Sequence, residues 1–262
     1  METLRFDRRG DVGWLRLARP ERLNAQNALM WDELIAFQRD LDTSAGPPRA
    51  LVVAGSGRAF SAGIDLDEID PASGRLLRQA AAPVGHGPDP LLARIASVQG
   101  AFRWFRETPI PTLAAVHGYA LGAGFQLALA CDLRVFAEGT MAGLLEFRHG
   151  LLPDLGATAF LPGIVGDGRA RELIFTARII DAAEAARIGL ANEVVAAEEL
   201  EAHAAALAED LARAPSMAFR HTKGALLVSS DVDASLERVC VGQAECLRAL
   251  AGDNLRAVPG AP

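Results

Sequence analysis

Apolar and polar residues alternate at the start of the chain. Leu4 and Phe6 precede a charged turn at residues 8–11, and Val12, Trp14, Leu15 and Leu17 follow with approximate period two, which predicts a β-hairpin. The spacing then changes to that of a helix over residues 27–42, NALMWDELIAFQRDLD, with Leu29, Leu34, Phe37 and Leu41 placed on one face and residues 42–48 ending it. ALVVAGSG, residues 50–57, is continuously apolar and then small, as a buried strand running into a loop should be. Residues 67–90 carry prolines and glycines in a weak pattern, predicting a mobile loop with one short helix. His86 in that loop is either a pocket acid or an exposed loop histidine. Helical spacing returns at residues 90–107 through Leu91, Ile95, Val98, Phe102 and Phe105.

The later chain reads more simply. FLPGIVGDGRARELIFTAR, residues 160–178, predicts a loop followed by a helix. DAAEAARIG, residues 181–189, predicts a short helix with Asp181 as N-cap and Gly189 as its stop, and ANEVV a strand. From residue 198 onward the pattern is helical, broken at Pro215, with a frayed tail expected around Pro259 and Pro262. Strands and helices mixed in this order make the chain α/β.

Composition narrows the class. The 262 residues, half of them hydrophobic, suffice for one α/β unit with a sizeable core. A net charge of −7, with no basic run to follow a phosphate backbone, argues against nucleic acid as a partner. No apolar run is long enough to span a membrane. Cys131, Cys240 and Cys246 are few and odd in number, and METLRFDRRG has no signal-peptide hydrophobic region, so a cytoplasmic location is expected.

The chemistry concentrates in two stretches. Residues 110–132, IPTLAAVHGYALGAGFQLALACD, run from an apolar strand through Gly118, Gly122 and Gly124 into a helix. Such a turn lets the backbone approach a ligand, and the first N–H groups of the helix, reinforced by its dipole, suit an anion or an oxygen becoming one. The same glycines would also serve simply to pack helix on strand. Residues 49–66, RALVVAGSGRAFSAGIDL, place a second small-residue turn, Ser61 to Ile64, ahead of Asp65. Two such turns can aim two backbone N–H groups at one point. Asp65 itself reads as a turn or cap residue.

These stretches resemble the enoyl-CoA hydratase/isomerase (crotonase) superfamily, whose signature couples an AFSAG-x-DL loop to a GYALG-x-G-x-x-LALACD turn. The resemblance extends from RPERLNAQN (19–27) through GLLPDLGATAFLPGIVG (150–166) to DAAEAARIGLANEVV (181–195). It implies a crotonase (ClpP-like) fold, a spiral of ββα units over residues 1–195, with a C-terminal helical region over 196–262 that builds trimers or pairs of trimers. It also implies an acyl-CoA thioester substrate, with coenzyme A part of that substrate and no further cofactor or metal. The oxyanion-hole donors would be the backbone N–H groups of Ile64 and Ala123. Arg22, Leu23, Ala62, Gly63 and Gly122 would border CoA, although Arg22 also reads as an arginine on a solvated loop.

Hydratases of this family work one water with two glutamates. The first of those positions holds Gln126 here, an amide that cannot carry a proton near neutral pH, and the second holds Glu146. Among Leu144, Leu145 and Phe147, Glu146 is either a working acid whose pKa burial raises, or a surface carboxylate paired with Arg148 or His149. Asp154 is either a turn and cap residue or, as in several isomerases of the family, part of the site. Gln126, Glu146 and Asp154 together shift the expectation from simple hydration toward a proton shuttle that moves a double bond. Hydration by Glu146 alone, another reaction of the superfamily such as hydrolysis or retro-Claisen cleavage, and an acyl-CoA binder without catalysis are the alternatives.

Overall fold

A six-stranded sheet whose central strands are buried on both faces organises the molecule, and the strand Ala50–Gly55 among them shows why the run ALVVAG lacks alternation. In the computed structural model, which describes residues 1–82 and 87–257, the hairpin β1 (Leu4–Arg9) and β2 (Val12–Leu17) leads through helix α1 (Ala28–Asp42) to strand β3 (Ala50–Gly55). His86, Pro259 and Pro262 lie outside the described residues. Helices α2 (Arg75–Ala81) and α3 (Pro90–Glu107) precede strands β4 (Thr112–Val116) and β5 (Tyr119–Leu121) and helix α4 (Ala123–Ala130). Then come strands β6 (Leu133–Ala137) and β7 (Met141–Gly143), helices α5 (Ala157–Val165) and α6 (Asp167–Thr176), strand β8 (Ile180–Asp181), helix α7 (Ala182–Arg187) and strand β9 (Glu193–Val195). Helices α8 (Leu200–Arg213), α9 (Ser216–Leu226) and α10 (Val232–Ala257) complete the described chain.

The large sheet has the order β1-β2-β3-β4-β6-β9, antiparallel at the hairpin and parallel elsewhere, and β5, β7 and β8 form a second sheet. Strand β3 shows the layering. Leu51 and Val53 join one apolar cluster with α1, α3 and α4, while Ala50, Val52 and Ala54 join another with α8. A strand covered on both sides has no polar face, hence ALVVAG. Helix α8 meets the sheet through Leu200, Ala204, Ala208 and Ala212, one row at four-residue spacing whose small side chains allow a close approach.

Two expectations need correction. Leu29 is exposed, because the buried arc of α1 runs through Met30, Leu34, Phe37 and Leu41, and at about 100° per residue Leu29 falls outside it. Residues 160–165 are helical, not loop: Ala157 and Leu161 of α5 turn into the core, and this burial overrides the missing N–H of Pro162. Asp181 caps α7, its carboxylate accepting from the Glu184 N–H at 2.7 Å. Lys223 of α9 reaches inward, donating to the carbonyls of Phe105 (2.9 Å) and Ile110 (3.1 Å) and to Asp132 Oδ2 (2.7 Å).

Candidate active site

The first turn is held by buried polar groups around Asn24. Asn24 sits in the left-handed region (φ 54°), fully buried, and its Nδ2 donates to the carbonyls of Ser56 and Ala59, both at 2.8 Å. Ser61 Oγ donates to the Asn24 carbonyl at 2.8 Å and accepts from the Gly63 N–H at 3.2 Å. Gln26 lies beside them, its Oε1 taking the Trp31 indole N–H at 3.0 Å. A parallel bridge between Gln26 and Ile64 uses the Gly63 carbonyl (2.6 Å from Gln26 N) and the Asp65 N–H (2.8 Å to Gln26 O). This leaves the N–H of Ile64 itself turned the other way. Asp65 is structural: it pairs with Arg19 at 2.8 Å and caps the short 3-10 helix Leu66–Glu68.

The second turn lies directly against the first. Ser61 bridges Ala120, and a side chain on Gly124 would collide with the Ser61 carbonyl at 2.4 Å, so α4 can start here only on glycine. Gly122 caps α4, and Ala123, as its first residue, has an N–H that precedes any intrahelical acceptor. A Cβ built on Gly63 (φ +95°) would stand 2.6 Å from the Leu121 carbonyl and 3.4 Å from the Ala123 nitrogen. The two turns thus present Ile64 and Ala123 side by side. Leu23 is tied to the same place, its carbonyl accepting the Ala62 N–H at 2.9 Å. Leu23, Ala62, Gly63 and Gly122 are therefore contiguous, whereas Arg22 is exposed on the adjoining 3-10 helix and pairs with Asp67 at 3.3 Å.

Glu146 completes the cluster. It opens the 3-10 helix Glu146–His149, and a Cβ on Gly122 would meet its Oε1 at 3.4 Å. It pairs with neither Arg148 nor His149: Arg148 donates to the Ala177 carbonyl, and Oε1 of Glu146 accepts from Gln126 Nε2 at 2.7 Å. Oε2 is buried and has no partner among the described residues. Burial pushes this carboxyl above the ordinary range and the nearby charge of Asp154 adds to the rise, against hydrogen bonds from its own backbone N–H and from Gln126.

Gln126 is fully buried, and its Oε1 accepts the N–H groups of Leu155 (2.8 Å) and Ala157 (3.2 Å). Asp154 is exposed as a residue, yet its carboxyl sits in crowded surroundings that push its pKa upward. It is not the cap of α5, a place taken by Gly156, and its carbonyl accepts from Gln99 Nε2 at 2.8 Å. The structure thus brings Ile64, Ala123, Gly122, Gln126, Glu146 and Asp154 to one place. Sequence reasoning missed the roles of Asn24, Gln26 and Ser61. Their signal was present as uncharged polar residues inside the small and apolar stretches 23–28 and 59–64.

Such an arrangement could hold a polarised oxygen at two N–H groups with a half-buried acid beside it. Comparison with known proteins identifies the family. The family model described as enoyl-CoA hydratase/isomerase matches residues 7–250. A "Probable enoyl-CoA hydratase" of Rhizobium meliloti is 35% identical over 238 residues, 90% of this chain and 83% of the relative. One of the same description from Rhodobacter capsulatus is 40% identical over 223 residues, 85% of this chain and 80% of the relative. Among solved structures, a Thermobifida fusca YX protein in complex with CoA superposes with a TM-score of 0.83 at 39% identity, covering 96% of this chain and 95% of its own. The same protein in complex with acetoacetyl-CoA gives 0.82 at 38% identity, covering 95% and 96%. The fold is thus the crotonase-type α/β arrangement expected from the motifs, and the chain belongs to the enoyl-CoA hydratase/isomerase family.

Proposed function

We propose that this protein binds an unsaturated acyl-CoA thioester and moves its double bond through an enolate. The observation that carries the reading is Glu146: a half-buried carboxylate whose Oε2 is buried and without a partner among the described residues, beside an amide where hydratases of the family have an acid. The thioester oxygen lies between the N–H groups of Ile64 and Ala123. Glu146 takes a proton from the α carbon of a 3-enoyl-CoA, and negative charge moves onto the thioester oxygen, where donors already in place stabilise it. The protonated Glu146 then returns its proton to the γ carbon, the C2–C3 double bond forms, and the carboxylate is regenerated. Asp154, the other carboxyl near Glu146, is placed to relay this same proton between the two carbons. Leu23, Ala62, Gly63 and Gly122 line the CoA path, with Arg22 at its outer end, and no cofactor is needed beyond the CoA of the substrate.

Hydration of a 2-enoyl-CoA, with Glu146 alone activating water, is the second reading, and the descriptions of the curated relatives favour it. An acyl-CoA binder without turnover is a third. NMR of the protein with 3-enoyl-CoA and 2-enoyl-CoA in D₂O separates them. Bond migration with deuterium at the α and γ carbons supports isomerisation, a 3-hydroxyacyl product supports hydration, and CoA-ester binding without either supports the binder.

We also infer a homotrimer or a pair of trimers built through the C-terminal helices, located in the cytoplasm. Val232, Leu236, Val239, Leu247 and Leu250 form an exposed apolar stripe along one side of α10. The three cysteines are unbridged, as in a reducing compartment. Among the described residues no helix is long and apolar enough to cross a membrane.

A further inference from the structure

We propose that Gln126 is a positioning residue: its side-chain amide locks Glu146 Oε1 out of proton transfer, leaves Oε2 as the proton-carrying atom, and ties the segment after Asp154 to the same side chain. The inference rests on the reading of Glu146 as the proton carrier and adds which of its atoms acts and what holds it.

The hydrogen bonds fix the amide's direction. Two backbone N–H groups, from Leu155 and Ala157, converge on one end of Gln126, so that end is the oxygen. The NH₂ must then face Glu146, where it donates at 2.7 Å. Three hydrogen bonds use this orientation, and Gln126 cannot turn without setting N–H against N–H and oxygen against oxygen. Oε1 of Glu146 is therefore held, while Oε2, buried and unpartnered, is the atom left to exchange a proton with substrate.

The same geometry explains why an amide stands at this position. A carboxylate in place of Gln126 would keep the acceptor for Leu155 and Ala157 but bring two carboxyl groups to hydrogen-bonding distance, where one proton must be shared. The other charged groups around Glu146 do not replace Gln126. Arg148 on the same 3-10 helix is turned to Ala177, Arg169 and Glu172 of α6 pair with each other, and Glu172 pairs also with Arg178. Asp154 repels the Glu146 charge.

The test compares Gln126→Leu and Gln126→Glu with the native full-length chain. The Glu146 carboxyl is followed by carbon-13 NMR titration without substrate, its resonance identified by its loss in Glu146→Gln. Alongside, kcat and KM are measured against pH on 3-enoyl-CoA and 2-enoyl-CoA. In Gln126→Leu the Glu146 midpoint should rise, and kcat should fall about a hundredfold with KM changed only a few-fold, as for a displaced catalytic group. If that variant does not fold, Gln126→Glu decides, since it keeps the two backbone bonds. It should titrate in two steps, with one midpoint above the native value and the kcat profile displaced upward. Glu146 titration and pH profiles unchanged from native would overturn the proposal. Because the titration needs no turnover, absence of bond migration in the native protein would count against the isomerase reading alone.

Discussion

A β-carbon on Gly63 would stand 2.6 Å from the carbonyl oxygen of Leu121, and the backbone there has a φ of +95°. The two turns are pressed together at this point, and the separation of Ile64 from Ala123 depends on it. Gly63→Ala should cost about 1–3 kcal/mol of stability through backbone strain alone. Pushing the turns apart should also lower turnover by about a hundredfold, the usual effect of losing one oxyanion donor. Urea unfolding and steady-state rates would test both. A variant with native stability and rate would show that the turns do not need this contact.

Glu146→Gln keeps the volume of the side chain and removes its proton. The proton-shuttle reading expects kcat to drop by about 10²–10⁴ with CoA-ester binding retained. Stability should move the other way. Burial raises the pKa of Glu146 in the folded chain, so folding favours the protonated form, and the penalty for the charged form appears as pH rises above the unfolded carboxyl range. Glu146→Gln should be more stable than the native protein at pH 7–8, with the difference vanishing toward pH 4. The native rate should fall on acidification with a midpoint above the ordinary glutamate value. Melting curves of the two proteins at both ends of that range would decide the matter.

Much of this was legible beforehand because it depends on local pattern. Continuous apolar runs such as ALVVAG mark strands buried twice over, and the glycines before α4 mark a backbone that must come close to Ser61. What was not legible depends on contacts between distant segments. Gln126 reads as a gap in a two-acid pair, yet it is a hydrogen-bonded link between Glu146 and residues 155–157, and nothing near it in sequence reveals the two N–H groups it receives. Asn24 likewise holds residues 56 and 59, more than thirty positions away. Pro162 reads as a helix breaker until the core side of α5 is known.

Lys223 joins the C-terminal helices to the sheet through two carbonyls and Asp132, all within 3.1 Å. Burial lowers its pKa, and the carboxylate of Asp132 opposes that shift. Lys223→Met would leave a half-buried carboxylate and two carbonyls short of a partner, which should cost about 3–5 kcal/mol. Asp132 keeps the N–H and hydroxyl of Thr112, so the lower half of that range is expected. The loss should appear in urea unfolding, with α9 and α10 becoming the first segments to exchange amide hydrogens. Exchange that stayed uniform would remove Lys223 as their anchor.

The stripe on α10 gives the last test. Its positions 232, 236, 239, 247 and 250 fall within one arc of the helix, whereas the adjoining side, at Gly242, lies so close to His221 of α9 that a Cβ would stand 2.5 Å from it. One face is thus spent inside the chain, and the other leaves large apolar side chains in solvent, Leu236 at 61% and Leu250 at 60% exposure. Placing aspartate at the stripe should not disturb the α9 contact, but it would put a charge into any interface formed there. Leu236→Asp should keep native melting of the single chain and shift the sedimenting species from trimer or hexamer to monomer. If the native protein sediments as a monomer, or the variant assembles as the native does, the C-terminal helices are not the assembly surface. A monomeric variant that retains turnover would add that each chain holds a complete site.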